Sequence, residues 1–256
     1  MIVLNETEWA HDMINQKSLG ANPYETLKRV ARYYLDQQYK KSDVRRKLDY
    51  FILQCDPTAS LPKWSDTADR ALNRAAKRAA VEIDYIVVTK PEMDIIDGLS
   101  GTQTRRLAFT LLCLAKYLDV VNPAGDHWVT TDDNDIMKMA NINTSLKRQS
   151  AMFRKLNECG LVRFSKKVDN TNVRVCFIED GDEAMRIYDY RNLGYQYMMY
   201  HGGSFIECSN CGIITKEDNP QVGRRQRYCK ACATKIAAVQ RVNWVMKLRH
   251  GDTTQG

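Results

Sequence analysis

Histidine is scarce: the 256 residues contain four, and His11, His127, His201 and His250 stand apart from one another. There is no H-E-x-x-H pair, no P-loop, no G-x-S-x-G elbow and no glycine fingerprint for a dinucleotide, so the sequence carries none of the usual signatures of catalysis and reads as non-enzymatic. Long apolar runs are also missing. The one at the N-terminus ends at Leu4, with Asn5, Glu6 and Glu8 close behind, which excludes the pattern of a signal peptide or a membrane span and points to a cytoplasmic protein with no membrane partner. No heptad repeat specifies a coiled-coil dimer.

What is present suits a globular chain. At 29.5 kDa and 44% hydrophobic residues it can bury a core and divide into two or three units. Of eight cysteines, Cys55, Cys113, Cys159 and Cys176 are scattered through apolar surroundings and read as reduced core residues. The net charge of +7 is unevenly spread: residues 1–100 balance, whereas residues 203–256 hold 9 Lys/Arg against 4 Asp/Glu. That bias suits a polyanionic partner.

Residues 1–100 read as a helical N-terminal domain. Asn22 followed by Pro23 starts a helix carrying Tyr24, Leu27, Val30, Ala31, Tyr34 and Leu35 on one face. A second helix from Ser42 buries Val44, Leu48, Phe51 and Ile52. A third, capped by Ser65, aligns Ala68, Leu72, Ala75 and Ala79, and its Arg70, Arg74, Lys77 and Arg78 read as a solvated face. A short β-type run over residues 83–88 and a brief helix from Pro91 follow.

Residues 101–180 change pattern. The periodicity predicts an amphipathic helix over 104–118, a strand over 127–130, a short helix holding Ile136, Met137 and Ala140, a turn at 141–143, and a helix ending near Cys159 and Gly160. Two alternating strands, 161–166 and 173–178, flank a turn of Asp169, Asn170, Thr171 and Asn172. Asp132, Asp133 and Asp135 read as residues favoured at a helix N-terminus rather than as a metal cluster. On the last helix, Leu146, Ser150, Phe153 and Leu156 lie along one side and Lys147, Arg148, Ala151, Arg154 and Lys155 along the other. Basic side chains around a small apolar one are what a helix in the major groove requires, although Glu158 continues the same face. Lys166, Lys167 and Arg174 flank the hairpin tip, within reach of adjacent phosphate. This order of elements resembles a winged helix-turn-helix domain, which implies double-stranded DNA as partner; the same fold also serves as a protein-docking scaffold.

After a Tyr-rich connector at 181–203, with Tyr188, Tyr190, Tyr195, Tyr197 and Tyr200, comes the strongest chemical pattern in the chain. Cys208, Cys211, Cys229 and Cys232 form C-x2-C and C-x2-C separated by 17 residues, the spacing of one structural zinc site with a closed coordination sphere. Gly212 follows the first pair; the second runs into a helix-forming sequence, so residues 204–256 read as a four-cysteine zinc finger, resembling a treble clef, with a C-terminal helix. Arg224, Arg225 and Arg227 precede the second pair and Arg241, Lys247 and Arg249 lie on the helix, placed to hold phosphate. The expected fold is mainly α with small hairpins. The whole, including Arg191-Asn192-Leu193-Gly194-Tyr195, resembles winged-helix and four-cysteine proteins of bacteriophages and other bacterial mobile elements. That resemblance implies a DNA-binding transcriptional or replication regulator; the alternative is an inhibitor directed at a host protein or ribonucleoprotein, such as transcription machinery or a defence nuclease.

Overall fold

A computed structural model describes residues 2–165, 172–218 and 226–251, with side chains up to residue 246 in the last segment. The described residues are mainly helical, with ten α-helices and three small antiparallel sheets, and none of the helices is long and apolar enough to cross a membrane. Two compact units divide the chain, Met1–Tyr85 and Ile86–Gly256.

The first unit is four helices: α1 (Glu6–Asn15), α2 (Pro23–Asp36), α3 (Lys41–Cys55) and α4 (Leu61–Ala75). Asn22 caps α2 by accepting from the Glu25 amide at 3.2 Å, and Pro23 fits the first turn, where an N–H would go unused. Leu27, Val30, Ala31, Val44, Leu48, Phe51, Ile52, Ala68, Ala71, Leu72 and Ala75 form the shared core. Helix α4 starts earlier than its sequence suggests. Ser60 is its N-cap and Pro62 lies in the first turn, which leaves Ser65 inside the helix, bonded to Asp69, and Ala79 exposed beyond the end. A buried charge cluster joins the helices: the Glu6 carboxylate accepts from Arg32, lies 3.5 Å from Arg29 and 3.1 Å from Arg78, and accepts the Val81 amide at 3.1 Å.

The second unit is built around α6 (Thr102–Val121), in which Leu107, Leu111, Leu112, Cys113, Leu114 and Ala115 are all fully buried. A helix apolar on most sides belongs at the centre of a fold. Around it pack α5 (Lys90–Asp97), α7 (Asp133–Met139), α8 (Leu146–Glu158) and α9 (Leu193–Tyr200). Strand β1 (Ile86–Thr89) pairs antiparallel with β5 (Glu183–Ile187), Ile86 opposite Ile187. That pairing draws residues 86–100 into the second unit, although their sequence groups them with the N-terminal helices. Glu92 cements the junction: buried, it accepts from the Thr89 and Glu179 amides and from Lys116 Nζ at 2.7 Å.

Strands β2 (Trp128–Val129), β4 (Val173–Val175) and β3 (Val162–Phe164) form a sheet in that order. Val129, Val162, Val173 and Val175 face the core, while Arg163 and Arg174 are cross-strand partners on the other face. Strands β6 (Phe205–Glu207) and β7 (Ile214–Lys216) make a last hairpin, and α10 (Lys230–Gly251) ends the described chain.

Candidate functional site

The β6–β7 hairpin carries the first cysteine pair at its tip. Gly212, at φ +71°, makes the left-handed turn that lets its amide bond the Cys208 carbonyl at 2.8 Å, while the Cys208 amide reaches the Ile213 carbonyl. The second arm is tied on by the Ser209 amide, which donates to the Arg227 carbonyl at 2.9 Å. Cys229 immediately precedes α10 and Cys232 lies in its first turn, so the four sulfurs converge within 4.8 Å of one another, with 3.9 Å between Cys211 and Cys229. A tetrahedral ion with Zn–S bonds of about 2.3 Å requires sulfurs separated by about 3.8 Å. The donor set therefore fits a single ion after a small contraction.

The local electrostatics favour a cation there. Burial alone raises the Cys208 thiol, but backbone bonds from Cys229, Asn210 and Cys211 outweigh it and hold the group down to about 6. Cys211 is pushed up to about 12, first by burial and then by bonding with the other three thiols. Cys208 thus gives up its proton readily while Cys211 resists losing its own, and a divalent ion would remove that resistance. Asn210 Nδ2 donates to Cys232 Sγ at 3.3 Å.

A set of polar residues that the sequence did not mark as functional bolts this cluster to the helix pair α7–α8. Arg191 Nη2 donates to the Cys211 carbonyl at 2.5 Å, and Asn192, left-handed at φ +56°, donates to the Ile214 carbonyl at 2.8 Å. The Asn192 side chain also accepts from Asn141, in the turn between α7 and α8, whose oxygen accepts the Tyr195 amide at 3.1 Å. A Cβ on Gly194 would lie 2.0 Å from the Ala140 carbonyl, so only glycine allows that approach. The connector tyrosines divide. Tyr190 and Tyr197 are buried against Tyr117 and Phe109, and Tyr195 packs on Phe205 at 5.0 Å. Tyr188 and Tyr200 are exposed.

Helix α8 buries Met152, Phe153 and Leu156. Leu146 and Ser150, expected on that side, are exposed, because the helix is rotated to seat Met152. The opposite face survives that rotation. Lys147, Arg148, Ala151 and Arg154 are all exposed, and none of the three cations has a side-chain partner among the described residues. Lys155 is half-buried and committed elsewhere, donating to the Ser100 carbonyl and hydroxyl. Arg174 is also occupied, at 2.6 Å from Asp126, whereas Arg163 beside it on the sheet is exposed and has no such partner among the described residues, and its place in an alternating strand was the available signal.

No family model, curated protein or solved structure matches the chain. Arg227 is exposed beside the Tyr228 ring, and Lys166, Lys167, Arg224 and Arg225 lie outside the described residues. Asp132 accepts from the Asn134 amide as the α7 cap and Asp135 pairs with Lys138, which accounts for the acidic run there. Two cysteines expected in the core, Cys159 and Cys176, are exposed, since each falls at the end of an element just past its last buried residue.

Proposed function

We propose that the second unit is a winged helix-turn-helix that binds duplex DNA through α8, braced by a four-cysteine zinc finger, in a non-enzymatic regulator of the bacteriophage type. The single observation that carries the reading is the α8 face, where Lys147, Arg148 and Arg154 surround Ala151 and none is ion-paired with a carboxylate among the described residues, Glu158 at the end of the same face included. Cations that fold into no internal ion pair remain free for phosphates and guanine edges, and Ala151 permits close approach to a thymine methyl. Arg163, one sheet away, extends the positive surface toward flanking phosphate. Zinc at Cys208, Cys211, Cys229 and Cys232 would hold structure only, because four protein ligands leave no position for substrate.

The test is a fluorescence titration with labelled duplex, single-stranded DNA and RNA at several salt concentrations. Duplex binding should fall by at least about tenfold in Arg148→Ala with Arg154→Ala, consistent with about 1 kcal/mol or more for each lost contact. Absence of binding to duplex at low salt, or equal affinity in the double variant, overturns the reading. The second reading, a protein-directed inhibitor, is favoured by one feature alone, the apolar exposure of α10.

A further inference from the structure

Helix α10 is about 33 Å long at 1.5 Å per residue, yet among residues 230–246 only Cys232 is buried, and only Ile236 and Val245 are half-buried. What it exposes is largely apolar: Val239, Val242, Trp244 and Met246 are 59, 52, 62 and 56% exposed. At about 100° per residue, Val239, Val242 and Met246 form one stripe, and Ala233, Ala237 and Trp244 form a second on roughly the opposite side. The helix sequence also contains Lys230, Lys235, Arg241, Lys247 and Arg249 without a single Asp or Glu.

These features select the partner. A bilayer surface covers one stripe and requires the other side to be polar. A DNA groove takes up cations but leaves Val239, Val242 and Met246 against water or phosphate. A second copy would set five positive charges against five with no acid between them. We propose that α10 is a docking helix for an acidic protein that clasps it on both sides, apolar surfaces covering the two stripes and carboxylates meeting Lys230 and Arg241, which fall between the stripes, and Lys235, which lies within the valine stripe. Trp244 is the natural anchor of one side, since a large aromatic ring is the commonest energetic centre of an interface. The inference does not rest on DNA binding, which uses α8.

Calcium-loaded calmodulin, an acidic protein with two apolar grooves, serves as the probe. The full chain, purified with its metal, is titrated calorimetrically with it, with calmodulin stripped of calcium beforehand, with duplex DNA and with phosphatidylglycerol vesicles. Saturable binding to the calcium-loaded form alone is expected, weakened by at least about tenfold in Val242→Ser and, separately, in Trp244→Ser. Both side chains are exposed, so the variants should keep the circular dichroism and metal content of the parent. The proposal is overturned by no binding to calcium-loaded calmodulin, or by binding that only one of the two variants weakens. It is equally overturned if vesicle or duplex binding is what the two substitutions remove.

Discussion

Glu6 shows how much a single residue can organise without any motif to announce it. Its side chain is 4% exposed and meets Arg29, Arg32 and Arg78, which come from α2 and from just beyond α4. Burial raises its carboxyl, but the hydrogen bond and charge of Arg32, the Val81 amide and the Arg78 charge prevail, and the group titrates below its ordinary 4.5. A folded value below the unfolded one means that the stabilisation is present above about pH 4.5 and is lost as pH falls through the folded value. Glu6→Gln should therefore destabilise the first unit by about 3 kcal/mol at pH 7, because it strands buried guanidinium groups, and by progressively less toward pH 3. Urea unfolding at pH 7 and pH 3.5 measures both; an equal loss at the two values would show that packing, not charge, is what Glu6 supplies.

At the scale of elements, periodicity made α2, α3 and α6 readable, because each buries a long run of aliphatic side chains at helical spacing. Two kinds of feature escaped it. Strand β5 has a mixed pattern, with only Ile187 buried, and its existence depends on β1, nearly a hundred residues earlier. The rotation of α8 buries Met152 and leaves Leu146 and Ser150 exposed, an outcome of packing that no local pattern encodes. The cysteine spacing was readable for the opposite reason, since metal ligation imposes a covalent-like geometry on very few residues. Its consequence is concentrated in α10. Apart from Cys232, and from Ile236 and Val245, which are half-buried, that helix leaves its described side chains exposed, so the four-cysteine cluster at its first turn is its main anchorage. We expect Cys208→Ser or Cys229→Ser to abolish stoichiometric zinc, one ion per chain in the parent by elemental analysis, and to release α10 and the β6–β7 hairpin to rapid amide exchange. Amides of α6 and α8 should stay protected, as their core of Leu107, Leu111, Phe153 and Leu156 contains no ligand. Loss of protection throughout the second unit would mean instead that the bolt through Arg191, Asn192 and Asn141 carries structure as well as position.

For the whole molecule, charge discriminates between the two units. Met1–Tyr85 holds 14 Lys/Arg against 12 Asp/Glu, many of them paired within the four helices, whereas Ile86–Gly256 holds 24 against 19. Four thiolates around a divalent ion would return a net charge of about −2 and lower the second unit's excess from +5 to roughly +3. So small an excess cannot bind a polyanion through net charge, and any affinity for DNA must come from where the cations stand. Lys147, Arg148 and Arg154 are the exposed set on α8 without partners among the described residues, and Arg163 is exposed on β3, which packs against α8. If each neutralises one phosphate, log affinity should fall against log salt with a slope of about −3 to −4, at about −0.9 per contact. Replacing Lys147 by Ala should flatten that slope by about one, whereas Lys155→Ala, which removes a side chain already bonded to Ser100, should leave it nearly unchanged. A slope that Lys147→Ala does not alter would place the DNA on another face of the unit, and one that Lys155→Ala flattens equally would mean the bond to Ser100 opens when DNA arrives.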